Sequence, residues 1–234
     1  MAIKDIFLPL VGEPEATAIA AIDKCVAVAG DLGAWVTAMA VEEDIPIRPT
    51  VIVSNDLDNT AAVEAVRSVS LVPVKADDDR SERIVERLIF ESGRPILMCP
   101  EEFASELPVA FDDVVIAWDH TAPAARAVAD ALPILQSAAN VRIVTATDDK
   151  TTAELASGAA LVSHLAEHGI TATFETVKID GSSVGKAFEA YVKARAINLL
   201  VMGAYRHSRL SEIVWGGATK TVIGRPPCWV MMSH

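Results

Sequence analysis

Cysteine is scarce. Cys25, Cys99 and Cys228 are the 3 in a chain of 234 residues, and no two form a CxxC pair. That spacing signals neither a zinc site nor a disulfide framework, so free buried thiols in a reducing compartment are expected. Long apolar runs are missing too: no stretch of about 18 apolar residues is free of charge, which argues against a membrane span. Lys4, Asp5, Glu13 and Glu15 interrupt the apolar core that a secretory leader needs, so a cytoplasmic protein is the expectation. Basic charge is in deficit, with 20 Lys and Arg against 32 Asp and Glu and a net charge of −12. Duplex nucleic acid calls for a basic face, so no nucleic-acid partner is expected, and no membrane partner either. A small local phosphate site stays compatible with that balance. Disorder is excluded as the main state, because 51% hydrophobic residues are enough to offset chain entropy.

What is present is an alternation of strand and helix signals. Asp113 to Trp118 is a continuous apolar run, as expected of a strand buried on both faces. Thr121 is placed to cap the next helix, with Pro123 in its first turn and Pro133 as a kink before its end near Ser137. Val141 to Thr145 reads as a strand and Thr151 or Thr152 to Gly169 as a helix. Thr171 to Val177 alternates like a strand, and Ser182 or Ser183 caps a helix to about Ala196. Asn198 to Met202 is another buried strand. A helix from about Ser211 to Ile223 precedes a last strand, Cys228 to Met232. Such alternation implies a parallel sheet.

The first part repeats this plan in shorter form: a strand Ile6–Val11, a helix from Glu15 to about Gly30 and a strand Trp35–Val41. Gly93-Arg94-Pro95 recurs as Gly224-Arg225-Pro226, each time between an amphipathic helix and an apolar strand. Ser81-Glu82 and Ser211-Glu212 lie near the start of those helices. A competing register matches Val74–Asp77 to Val177–Asp180; the Gly-Arg-Pro register is preferred because it also matches its flanks. The reading is α/β, two similar halves, each a mostly parallel open sheet flanked by helices. They divide at 1–104 and 112–234, with one strand–helix unit missing from the first.

The segment Val201–Lys220 carries the chemistry. A buried strand ends in Gly203, a loop follows, and Gly216 and Gly217 come further on. Backbone amides and a helix N-terminus beyond the carboxyl end of a parallel strand make an anion site, and glycine lets the backbone approach a phosphate. From Gly203 to Arg225 there are Arg206, Arg209, Lys220 and Arg225 against one acid, Glu212, with His207 a further donor. On an acidic chain such a cluster favours a bound polyphosphate.

This segment resembles the nucleotide-binding members of the universal stress protein family. Their pattern is glycine, two residues, glycine, nine residues, glycine, then Ser or Thr. Here those places fall on Gly203, Arg206, Gly216 and Gly217. VVIAWDHTAPAARAVADALPIL is similar to the first strand and helix of the family's tandem members, and Asp119 stands where the family has a nucleoside-contacting aspartate. The resemblance covers residues 112–234 well and 1–104 weakly. It implies a universal stress protein-like fold, akin to the adenine nucleotide alpha hydrolases, with ATP or a related adenine nucleotide in the second half. The implied binding residues are Asp119, Val144, Gly203, Arg206, Arg209, Gly216, Gly217 and Thr219, with Lys220 as a further balance of charge. The two halves are expected to pack as an internal pseudo-dimer, and a homodimer is compatible with the same reading.

The chain departs from the pattern twice. Arg206 replaces the middle glycine, where its side chain either blocks the site or grips the anion, and Gly217 replaces the hydroxyl residue, leaving Thr219 nearby. The alternative is therefore a nucleotide-free stress-response interaction protein with a degenerate pocket. An adenylate-forming transferase lacks support, because Asp119-His120-Thr121 stands where a Ser- and Gly-rich loop is expected. No catalytic residue and no metal ligand is assigned, and slow ATP hydrolysis is the most activity expected. Gly181–Ala187 imitates a P-loop but has three residues between its glycines and no hydroxyl after Lys186. Asp77-Asp78-Asp79 reads as a solvated helix start. His164 and His168, at i and i+4, are two ligands without a third. The first half shows no site, since its first strand runs into Val11-Gly12 in place of an aspartate.

Overall fold

In a computed structural model of the chain, residues 3–12, 16–41, 69–148, 152–204, 206–209, 212–215 and 217–234 are described. The apolar runs form β1 (Asp5–Val11), β2 (Trp35–Val41), β3 (Val69–Val74), β4 (Ile96–Pro100), β5 (Asp113–Ala117), β6 (Asn140–Ala146), β7 (Ala172–Val177), β8 (Leu199–Gly203), β9 (Arg206–Arg209), β10 (Glu212–Trp215) and β11 (Trp229–Ser233). Between them lie α1 (Ile19–Asp31), α2 (Asp79–Glu91), α3 (Ala122–Leu135), α4 (Thr152–Glu167), α5 (Val184–Ala194) and α6 (Gly217–Gly224), with a short 3₁₀ helix at Glu101–Glu106. Among the described residues, nine strands form one sheet in the order β2-β1-β3-β4-β11-β8-β5-β6-β7. Every neighbouring pair in it is parallel except β11 with β4, which run antiparallel with Met231 opposite Leu97.

Alternate residues of each strand face opposite sides of the sheet. Val114 and Ile116 enter the core layer shared with α1, α3 and α4, whereas Val115 and Ala117 enter the layer shared with α2, α5 and α6. Both faces are covered, which is why the strands read as unbroken apolar runs. The helix starts follow the expected chemistry. The Thr121 hydroxyl accepts from Ala124 N at 3.3 Å, Asp78 caps α2 by accepting from Ser81 N at 2.7 Å, and Ser183 caps α5 by accepting from Lys186 N at 3.3 Å. Pro133 is accommodated inside α3, two residues before its end.

Outward from the antiparallel seam the sheet runs β4-β3-β1-β2 on one side and β11-β8-β5-β6 in the matching order on the other, where β7 lies beyond β6 at the edge. β7 has no counterpart among the described residues of the first side. The strand order sets β3 where β8 lies, not where β7 lies, so it follows the Gly-Arg-Pro register rather than the competing one. The repeated tripeptide leads into β4 and β11, the two strands that meet at the seam, and the helices before them, α2 and α6, pack together.

Two expectations are corrected. Residues 212–215 are not helical as expected; β9 and β10 pair as a separate antiparallel two-stranded sheet, with Trp215 opposite Arg206 and Glu212 opposite Arg209, and α6 starts at Gly217, while the expected helix start, Ser211, lies outside the described residues. The first half holds a strand, β3, that its sequence did not announce.

Candidate functional site

The chain passes from β5 outward to β6 and β7, then returns to β8 on the other side of β5. Strand order therefore reverses between β5 and β8, and a crevice opens beyond their carboxyl ends. A cavity of about 410 Å³ fills it. Its apolar wall is Ala117, Ala146, Val184, Phe188, Met202 and Val222. Its polar lining is Asp119, His120, Thr145, Ser183 and Thr219. The first residues of α5 (Val184, Gly185) and of α6 (Gly217, Ala218, Thr219) also border it, so two helix N-termini meet one cavity.

Of the residues singled out from sequence, Asp119, Gly203, Gly217 and Thr219 line the cavity. Val144 is fully buried in β6, and its carbonyl accepts from Trp118 N at 2.9 Å; its neighbours Thr145 and Ala146 line the cavity instead. The Arg206 and Arg209 backbones belong to β9, which leaves β8 at the cavity rim; their side chains, and Gly216 altogether, lie outside the described residues. Lys220 does not line the cavity. It sits close enough to Glu82 of α2 to lower that acid's pKa, although burial, the larger effect, raises it. Arg225 pairs with Asp77, which holds the guanidinium pKa above its ordinary value. Two cations of the cluster are thus engaged by acids of the first half.

Gly203 and Gly217 are glycines for different reasons. A Cβ on Gly203 would lie 2.5 Å from Ala124 N and 2.7 Å from Pro123 C, so its bareness is what lets β8 pack on the first turn of α3. A Cβ on Gly217 meets nothing within 4 Å. Asp119 is exposed, and its Oδ1 accepts from Thr121 N at 3.1 Å and Thr121 Oγ1 at 2.6 Å, which orders the turn from β5 into α3. His120, next to it, has a left-handed backbone with φ of +65°.

Trp118, Thr145 and Ser183 were not anticipated as lining residues, whereas His120 is expected beside the site with Asp119. Ser183 had a signal: it follows a strand and caps the next helix, and such a cap at the carboxyl edge of a sheet faces the crevice. Its surroundings also spell Gly-x-Ser-x-Gly, Gly181 to Gly185, the pattern of a nucleophile elbow. That elbow needs the serine itself on a strained turn, whereas Ser183 is extended (φ −93°, ψ 154°) and its hydroxyl is engaged as a cap. His164-Leu165-Ala166-Glu167-His168 spells a zinc-peptidase-like H-x-x-E-H; the rings of His164 and His168 meet edge to face at 4.8 Å, and no metal-holding cluster occurs among the described residues.

At the matching position in the first half, acids already occupy backbone donors. The helix there is α2, whose N-terminus holds the Asp78 carboxylate. Ala76 N donates to the Glu102 carboxylate. Glu101 beside them has its pKa raised, chiefly by burial and further by Glu102.

A mostly parallel α/β sheet with a crevice at its switch point, bordered by helix N-termini, defines the doubly wound class of α/β proteins. Within that class the chain belongs to the universal stress protein family, whose model matches residues 110–234. The fold of the whole chain is similar to a universal stress protein from Archaeoglobus fulgidus DSM 4304, with a TM-score of 0.66, 14% identity and coverage of 97% of this chain and 95% of that one. It is also similar to a putative universal stress protein from Pseudomonas aeruginosa UCBPP-PA14, with a TM-score of 0.62, 14% identity and coverage of 99% and 93%. A functionally unknown protein from Pseudomonas aeruginosa PAO1 matches with a TM-score of 0.61, again at 14% identity, with coverage of 99% and 92%. No curated protein matches the sequence. Among the described residues, no helix is long and apolar enough to cross a membrane.

Proposed function

We propose that this protein is a cytoplasmic stress-response binding protein that holds ATP or a related adenine nucleotide in the crevice of its second half. The observation that carries the reading is the cavity between β5 and β8, where two helix N-termini, open space at Gly217 and the carboxylate of Asp119 border one volume. The bordering amides suit phosphate, the apolar wall suits a base, and Asp119 suits a ribose or base donor. Arg206 and Arg209 balance phosphate charge from the hairpin. The Thr219 hydroxyl takes the place of the one missing at Gly217. The first half, its helix terminus already occupied by a carboxylate, serves as structural partner in an internal pseudo-dimer. No hydrolytic base is assigned among the described residues, and holding or sensing the nucleotide is the activity proposed, with slow hydrolysis at most.

A second reading is a nucleotide-free interaction protein. It is favoured by one specific observation: Lys220 and Arg225, half of the cationic cluster, face acids of the first half. Thermal melting with increasing ATP separates the two, beside an Arg206→Gly variant. Ligand binding to the native state raises stability by about 2.7 kcal/mol at a hundredfold excess over Kd. A rise in the parent supports nucleotide holding. A rise confined to the variant means the arginine shuts the pocket, and none in either supports the interaction role.

A further inference from the structure

Ser157 stands on α4, outside the cavity lining, yet its hydroxyl touches both neighbours of Asp119. Trp118 Nε1 donates to Ser157 Oγ at 3.0 Å, and His120 Nδ1 lies 2.6 Å from the same oxygen. An indole N–H only donates, so Ser157 Oγ accepts there, and its own proton is free to go to the neutral imidazole. The rings of Trp118 and His120 stand edge to face, 5.9 Å apart. Between these two anchors sits Asp119, which lines the cavity and has Oδ1 held by Thr121. Thr145 Oγ1 adds a further tie, donating to Trp118 O at 2.8 Å. The left-handed backbone at His120 is one a non-glycine residue keeps only where its surroundings over-determine it. The Asp119–Thr121 bonds brace that turn from within, and one hydroxyl, 37 residues along the chain, holds the His120 side chain.

We propose that Ser157 is a positioning residue: by gripping Trp118 and His120 it fixes Asp119 at the angle that reads the nucleoside part of a ligand. The proposal rests on the nucleotide-holding reading, and its effect is confined to the nucleoside. Phosphate is met by α5, α6 and the hairpin, whereas the hydrogen bonds given for Ser157 go to Trp118 and His120.

The test compares two probes, ATP and inorganic tripolyphosphate, on the full chain by calorimetric titration. Ser157→Ala is expected to weaken ATP about tenfold, the equivalent of one good hydrogen bond, and to leave tripolyphosphate unchanged. Ser157→Thr, which keeps the hydroxyl, is expected to restore ATP affinity. Equal loss for both probes, or no loss for either, overturns the proposal. Absence of ATP binding in the parent overturns the nucleotide reading itself, a distinct result. The grip has its own readout: the Nδ1 chemical shift of His120 is expected to move to its free-imidazole position in Ser157→Ala. An unmoved shift also overturns the proposal.

Discussion

A methyl group at Gly203 has nowhere to go, because the backbone of α3 stands 2.5 Å from where it would sit. Gly203→Ala is expected to cost about 1–3 kcal/mol through overpacking, read as a lower Tm without any ligand. Gly217 behaves oppositely. With nothing within 4 Å, Gly217→Ser is expected to leave stability within about 0.5 kcal/mol and to tighten ATP in the same titration. Glu101 offers a third residue-scale test. Its pKa is raised above 4.5, chiefly by burial, so its charged form is disfavoured in the fold. The stability it contributes is complete below the unfolded value and declines as pH rises through the folded one. Glu101→Gln is therefore expected to raise Tm at pH 7, with a gain that vanishes near pH 4. The places of single residues were legible where sequence neighbours define them, as Asp119 after an apolar strand and Gly203 at a strand end, both of which line the cavity; that Gly203 is bare to admit α3 was not legible. Ser157 was not legible, because only the packing of α4 brings it to the turn.

Elements were legible where periodicity is long. The runs from Asp113 to Val177 appear as strands and helices within a few residues of the expected bounds. β3 was hidden by Pro73, which normally argues against an inner strand. The ladder explains the tolerance: β1 pairs with β3 only at Val69 and Ser70, so by Pro73 no hydrogen-bond donor is needed on that side. The hairpin at 206–215 was hidden for the opposite reason. Its strands are four residues each, and Ser211-Glu212 imitates a helix start. Asp78 gives the prediction at this scale. Asp78→Ala is expected to destabilise by about 1 kcal/mol through loss of the α2 cap, measured by urea unfolding. Because it also removes the carboxylate from that helix terminus, weak phosphate binding to the first half is expected to appear.

At the scale of the whole molecule, the seam between β4 and β11 decides how the chain behaves as a particle. Val230, Met231 and Met232 are fully buried where these strands meet. A fragment of residues 110–234 would leave β11 an open, apolar edge, which pairs readily with another chain. Such a fragment is expected to elute at twice its mass in size-exclusion chromatography; a monodisperse monomer would refute the role given to the seam. Gly-Arg-Pro marked the entries to β4 and β11, but that these two strands meet in one continuous sheet was not legible, since no local pattern announces which strands pair.

That continuity has a consequence for titration. A symmetric pair of identical chains would carry two equivalent crevices and could couple them. On the nucleotide-holding reading the first half stands in for that second chain, and the helix terminus at its matching position carries the Asp78 carboxylate, so one seat per chain is expected. Saturation is then expected to be hyperbolic with unit stoichiometry per chain, and unchanged on dilution; a response that depends on protein concentration would show that an assembly step takes part.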